Sequence, residues 1–202
     1  DNLSKVHGLY MMVTKKEAVF FADTTVTIEP TAEELAETAI LTAEKAKYFE
    51  VEPRVAMLSF SNFGSVSHPQ VTKVQKATEL VRLRRPDLMV DGEMQADTAV
   101  EPRMIEEFYP FSTLKGRANV LVFPEIQSAN VGFKLVQRLG GAEAIGPILT
   151  GMNQPVHLLQ YGCDAKDVVN MAAIAVVDAQ EASGTDLPPM AELEEPEPAT
   201  VG

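Results

Sequence analysis

Residues Gly116 to Gly151 read GRANVLVFPEIQSANVGFKLVQRLGGAEAIGPILTG. An apolar run from Asn119 to Phe123 stops at Pro124, as a buried strand does. A short polar loop follows. The spacing then predicts an amphipathic helix from about Ser128 to Leu139, ended by the Gly140-Gly141 pair. A second apolar run, Ala144 to Leu149, ends at Gly151. Strand, loop, helix and strand make one βαβ unit. In open α/β sheets ligands bind beyond the carboxyl ends of the strands. The Pro124 to Asn130 loop and the loop after Leu149 are therefore the first candidate site.

The rest of the chain extends this pattern in both directions. Upstream, Gly8 to Val13 and Ala18 to Ala22 are apolar runs joined by TKKE, which predicts a hairpin. Pro30-Thr31-Ala32-Glu33-Glu34 predicts a helix start with Thr31 as N-cap and Glu34 completing a capping box. Arg54 to Phe60 reads as a buried strand and empties into the loop Ser59 to Ser65. Pro69 opens a helix that Pro86 closes. Leu88 to Val90 is a short strand leading into Asp91-Gly92-Glu93-Met94-Gln95-Ala96-Asp97, and Glu101 to Glu107 a further helical stretch. Downstream, Pro155 to Leu159 reads as one more strand and Lys166 to Glu181 as the last helix. Strands alternating with helices predict an α/β three-layer sandwich with a largely parallel sheet. If so, the loops after the strands share one edge, where Ser, Gly and helix N-termini suit a phosphate-bearing or acyl ligand. Such loops are equally well explained as ordinary turn chemistry.

Composition sets bounds. The chain has 202 residues, 46% hydrophobic and 23% charged, which is ordinary for a globular protein. No apolar run is long enough to span a bilayer, and a cytoplasmic location is expected. The net charge is −12. Six acids and no base lie in residues 181–202; without them 23 acids face 17 bases, or −6. There is no basic stripe, so nucleic-acid binding is disfavoured. Residues 1–180 read as one globular unit and 181–202 as an acidic, Pro/Glu-rich disordered tail. Cys163 is the single cysteine, so no internal disulfide is possible. There is no GxGxxG, no phosphate loop, no GxSxG and no metal-ligand spacing. His7, His68 and His157 stand isolated in the sequence and read as structural or solvated; Asp91, Asp97, Asp167 and Asp178 read as caps or turns.

The ordered motifs FADTTVTIEPTAEELAETAI, RVAMLSFSNFGS, DGEMQAD and VFPEIQSANVGFKLVQRLGGAEAIGPILTGMNQPVHLLQYGCDAKDVVNMAAIAVVDA resemble the phosphate acetyl/butyryltransferases over roughly Gly8 to Gln180. Within that group the wording resembles the transferase-like domain of hybrid NADP-dependent malic enzymes. The resemblance implies an isocitrate/isopropylmalate-dehydrogenase-like fold, with this chain as the second of two subdomains flanking a cleft. It implies ligand contacts at Ser59, Ser61, Asn62, Asp91, Gln95, Asp97, Asn130, Tyr161 and Asp167. Aligned on Gly162, Gln160 and Tyr161 stand where active transferases carry a Ser-Arg pair. The fixed positive charge is missing there, so no catalytic residue is assigned. The expectation is a regulatory and oligomerisation part of a malic enzyme that senses acetyl-CoA. No cofactor or metal would bind this chain; NADP with Mg or Mn would serve a malic enzyme region N-terminal to it. An active phosphate acyltransferase and an assembly module with a vestigial pocket are the alternatives. The Ala/Val-rich last helix suggests a homo-oligomer, a dimer or higher.

Overall fold

The computed structural model describes residues 5–15 and 17–183. Its elements, in chain order, are β1 (His7–Val13), β2 (Ala18–Ala22), α1 (Ala32–Tyr48), β3 (Arg54–Leu58), α2 (Pro69–Arg84), β4 (Met89–Met94), α3 (Ala96–Val100), α4 (Pro102–Phe108), β5 (Val120–Val122), α5 (Ile126–Gly140), β6 (Glu143–Thr150) and α6 (Ala165–Ser183). One six-stranded sheet runs β4-β3-β5-β2-β1-β6. β2 pairs parallel with β5, and β3 parallel with both β4 and β5. β1 alone runs against its neighbours, β2 and β6. The fold is thus α/β with a mostly parallel mixed sheet, as the sequence pattern predicts.

Both faces of the sheet are covered, because successive residues of each central strand point to opposite sides. Phe20, Val55, Met57, Val120 and Val122 pack with Ala36, Ala39, Ala43, Val74, Ala77 and Val81 of α1 and α2, joined by Met171 and Ile174 of α6. Phe21, Ala56, Leu58 and Leu121 pack on the other side with Ala99, Ile105, Leu114 and Phe133. The small residues facing the sheet from α1 let that helix approach it closely. Its start is the predicted capping box: the Glu34 N–H donates to Thr31 Oγ1 at 3.2 Å and the Thr31 N–H to Glu34 Oε2 at 2.8 Å. The hairpin forms with Leu9 opposite Ala22.

Five expectations change. β5, α5 and β6 run in the predicted order, but β6 does not neighbour β5. The β1–β2 hairpin lies between them, so the crossover spans two strands. α5 begins at Ile126 rather than Ser128, because Glu125 accepts from the backbone N–H groups of Gln127 and Ser128. β4 continues through Asp91–Met94, so Asp91 and Gly92 are strand and not loop. Pro155 to Leu159 forms no strand; His157 instead accepts from the Leu149 N–H at 3.3 Å and lies 2.8 Å from Asp178. α6 extends to Ser183, past the expected start of the tail, and the rest of the tail lies outside the described residues. Among the described residues no helix is long and apolar enough to cross a membrane.

Candidate functional site

The carboxyl ends of β2, β3, β4 and β5 meet at one edge. The Ser59 N–H donates to Met94 O at 2.8 Å, the Phe123 N–H to Ala22 O at 2.7 Å, and the Gln95 N–H to Asn62 Oδ1 at 2.8 Å. A cleft of ≈ 840 Å³ opens there. Its walls come from the end of β3 (Leu58 to Phe60), the first two turns of α2 (Gln70, Lys73), and the β5–α5 junction (Phe123 to Ser128, without Ile126). Glu29 to Thr31, before α1, close the remaining side.

The charges in this cleft are few. Glu125 has both carboxylate oxygens engaged: Oε2 accepts from the Gln127 N–H at 2.7 Å and Oε1 from the Ser128 N–H at 2.9 Å. Burial pushes its carboxyl up, but the Ser128 hydroxyl, these N–H groups and the nearby Lys73 charge outweigh it and hold it below the usual range. The α5 N-terminus is therefore capped by the chain's own anion. Lys73 donates to Pro124 O at 2.8 Å. Burial lowers its pKa, against the opposing pull of Glu125 and Glu29.

The residues singled out by resemblance divide into three groups. Ser59 lines the cleft. Ser61, Asn62, Asp91, Gln95 and Asp97 are not among the residues lining the cleft and are engaged in hydrogen bonds within the protein. Ser61 is fully buried and donates to Glu93 Oε1 at 2.8 Å; the Gly64 N–H reaches the same oxygen at 2.7 Å. Asn62 and Gln95 clamp the β3 loop to the end of β4, with Gln95 Nε2 donating to Phe60 O at 2.8 Å. Asp91 pairs with Arg82 and accepts at 2.7 Å from the Ser112 hydroxyl and from the Thr113 N–H. Asp97 is exposed and accepts from the Thr98 N–H. Asn130 is half-buried in α5 and is not among the lining residues.

The third group sits by β6. Gln160 Nε2 donates to the Tyr10 hydroxyl. Asp167 and Asp164 exchange backbone-to-carboxylate bonds at 3.0 and 2.9 Å. Gln160 and Asp167 border a 60 Å³ cavity with Tyr10, Phe133 and Cys163. Tyr161 is fully exposed. The structure thus brings Ser59 to the large cleft, and Gln160 with Asp167 to a separate small one. Sequence reasoning missed Lys73, Gln70 and Phe60. The available signal was position, since α2 starts directly after the β3 loop. Among the described residues no group of three or more His, Cys, Asp or Glu could hold a metal ion.

A parallel-sheet edge of this kind, with a roomy cleft over several strand ends, is where α/β domains hold their ligands. Residues 1–176 match the phosphate acetyl/butaryl transferase family, and the chain belongs to it. It is 45% identical over 179 residues to a phosphate acetyltransferase of Bacillus subtilis, covering 89% of this chain and 55% of that protein. It is 51% identical over 161 residues to one of Thermoanaerobacterium thermosaccharolyticum, covering 79% and 49%. The crystal structure of a phosphotransacetylase from Streptococcus pyogenes superposes with a TM-score of 0.84 at 44% identity, covering 91% of this chain and 55% of that one. The chain spans about half the length of these relatives.

These relatives correct the expectation drawn from the finer resemblance. They are named phosphate acetyltransferase, with no malic enzyme among them. The regulatory malic-enzyme reading is overturned, and with it the oxidoreductase and NADP assignments. The physical reason for the error is that it rested on the wording of short loops and one substituted pair. The identity that decides the matter is spread over most of the chain.

Proposed function

We propose that this chain forms one side of a phosphate acyltransferase cleft, moving an acetyl or butyryl group between coenzyme A and phosphate. The observation that carries the reading is the 840 Å³ cleft at the strand ends, with Ser59, Lys73 and the start of α5 in its walls. In the transfer, the thiol sulfur attacks the acyl carbon of an acyl phosphate. The new sulfur–carbon bond forms and the carbon–oxygen bond to phosphate breaks. The thiol proton leaves to phosphate or solvent. Negative charge rises on the acyl oxygen and on the departing phosphate, where fixed donors lower the barrier most. Ser59 supplies a hydroxyl, Gln70 and Gln127 supply amides, and Phe60 and Phe123 give an apolar wall for the acyl chain.

Acyl-coenzyme A is accordingly a substrate in this reading and not an effector. Gln160, Tyr161 and Asp167 serve the loop after β6, with Tyr161 free to meet a ligand or the remainder of a longer protein. Self-association fits the same reading. α6 leaves Val169 and Val176 exposed with Ala172 and Ala173 between them, and α5 leaves Val131, Leu135 and Leu139 exposed on one stripe. The deciding experiment mixes acetyl phosphate and coenzyme A with the intact protein and follows thioester formation. Turnover well above the uncatalysed rate is expected. A folded protein with none would overturn the reading.

A further inference from the structure

The geometry points to the Lys73 ammonium as the group that holds the phosphate of an acyl phosphate in this cleft; the inference rests on the transfer reading above. Lys73 lies in the second turn of α2 and is half-buried. Its Nζ donates one hydrogen bond, to Pro124 O at 2.8 Å. An ammonium carries three donors, so two remain, on a residue that lines the cleft.

Like Arg54 and unlike part-buried Lys45 and Arg117, it lacks a counter-ion among the described residues. Lys45 has Asp178 at 2.7 Å, and Arg117 has Glu17 at 2.9 Å. Among the described residues no carboxylate lies within ion-pair distance of Lys73. Glu125 is near but already holds two backbone N–H groups, and Glu29 is exposed. A partly desolvated cation without a paired anion is the complement of an anionic ligand.

The surroundings select the anion. Lys73 is the one cation among the lining residues, and Ser59, Gln70 and Gln127 bring a neutral hydroxyl and two amides to the same cleft. One charge ringed by several neutral donors suits a multi-oxygen anion such as phosphate. Glu125 occupies the first N–H groups of α5, so the helix end is not the anion's seat. Tyr161 supplies no charge where the resemblance places an arginine. Lys73 is therefore the fixed positive charge facing the departing phosphate.

The test combines labelling and kinetics on the intact protein. Trinitrobenzenesulfonate modification of Lys73, read by peptide mass spectrometry, is compared with and without inorganic phosphate; exposed Lys115 is the internal control. Phosphate should slow labelling of Lys73 several-fold and leave Lys115 unchanged. Lys73→Met should raise KM for acetyl phosphate about tenfold or more, and Lys73→Arg should retain most of the affinity. KM for coenzyme A should stay near the wild-type value in both. A merely structural tether would move the melting temperature and both KM values together. If phosphate does not protect Lys73 in the folded wild type, the inference is overturned, even where Lys73→Met fails to fold. Turnover in the wild type with an unchanged KM in Lys73→Met also overturns it and leaves the transfer reading standing. Protection without any turnover does the reverse, keeping the phosphate site and removing the transferase.

Discussion

His157 Nε2 lies 2.8 Å from Asp178 Oδ2, with the two side chains only 4% and 9% exposed. The His157 Nδ1 atom accepts from the Leu149 N–H, so the ring donates through Nε2 and Asp178 accepts. The other Asp178 oxygen takes Lys45 Nζ at 2.7 Å. One carboxylate thus joins α6, α1 and the loop after β6. Asp178→Asn should cost about 2–4 kcal/mol, because it replaces the shared charge of a buried cluster. Chemical denaturation of the variant beside the wild type measures this. An unchanged midpoint would show that α6 docks by its apolar face alone.

The acid limb of stability follows from the same residue and from Asp23. Burial raises the Asp178 carboxyl, but hydrogen bonds from His157 and Lys45 outweigh it and hold it below its usual value. Asp23 behaves alike: burial raises it, while the His7 side chain and the N–H groups of Thr25, Val26 and Thr27 bring it below. A carboxylate with a depressed folded pKa adds stability above its unfolded value of about 4. That stability is lost as the pH falls through the folded value. The melting temperature should therefore hold near neutrality and fall below about pH 4. Asp23→Asn should flatten that fall while lowering the plateau. Thermal melts across the acid range check both.

Ser61 and Ser59 sit two residues apart with opposite duties, and this gives a clean comparison. Ser61 Oγ lies between buried Glu93 and the Val66 N–H. Ser61→Ala strands part of Glu93 and should cost about 1–2 kcal/mol. Ser59 is half-buried at the cleft, its Oγ accepting only a long 3.4 Å bond from the Ser61 N–H. Ser59→Ala should change stability by less than about 0.5 kcal/mol yet weaken acetyl phosphate use. Melting temperature and KM measured on the two variants separate the duties.

The layers were legible in the sequence because burial imposes period two on strands and a stripe on helices. Phe20-Phe21 and the Val55 to Leu58 run report both faces of one sheet, and Thr31 with Glu34 reports a helix start. The β4 extension was hidden because its interior acids look like turn residues. Asp91 and Glu93 are buried there by partners distant in sequence: Arg82, Ser112 and Thr113 for one, Ser61 and Gly64 for the other. The same long-range pairing engages Ser61 and Asp91, two of the expected ligand contacts, within the protein. Lys73 was missed for the opposite reason. A single lysine on an amphipathic helix reads as solvated, and only the tertiary fold brings Pro124 O and the cleft to it.

Gly92 fixes how close β4 comes to β3. Its φ is +143°, and a Cβ built there would lie 2.6 Å from the Met57 carbonyl oxygen. Backbone cannot yield as a flexible side chain would. Gly92→Ala should cost upward of about 3 kcal/mol and lower the yield of folded protein. The adjacent Glu93 anchors the Ser61 to Gly64 turn, so the loss should reach the cleft as well. Proteolysis of the Phe60 to Val66 loop, compared with the wild type, measures that spread.

Tyr10 tests the small cavity beside β6. Its ring stacks on Phe133 with centroids 4.2 Å apart, and its hydroxyl accepts from Gln160. Burial first, and then the Asp167 charge, push its phenol up to about 12. Ultraviolet titration should show a late transition that belongs to Tyr10. A raised folded pKa means its contribution is complete below the unfolded value of about 10 and is lost as the pH climbs toward the folded value. Tyr10→Phe should remove the late transition and shift the alkaline loss of stability. Asp167→Asn should bring the transition earlier without removing it, since burial remains. The Asp167 variant also tests the duty expected of that residue from the family resemblance. If Asp167 only caps α6 with Asp164, the variant lowers stability by about 1 kcal/mol and leaves acyl transfer intact. If it also serves coenzyme A, transfer falls by more than the loss of folded protein explains, and KM for coenzyme A against kcat separates the two.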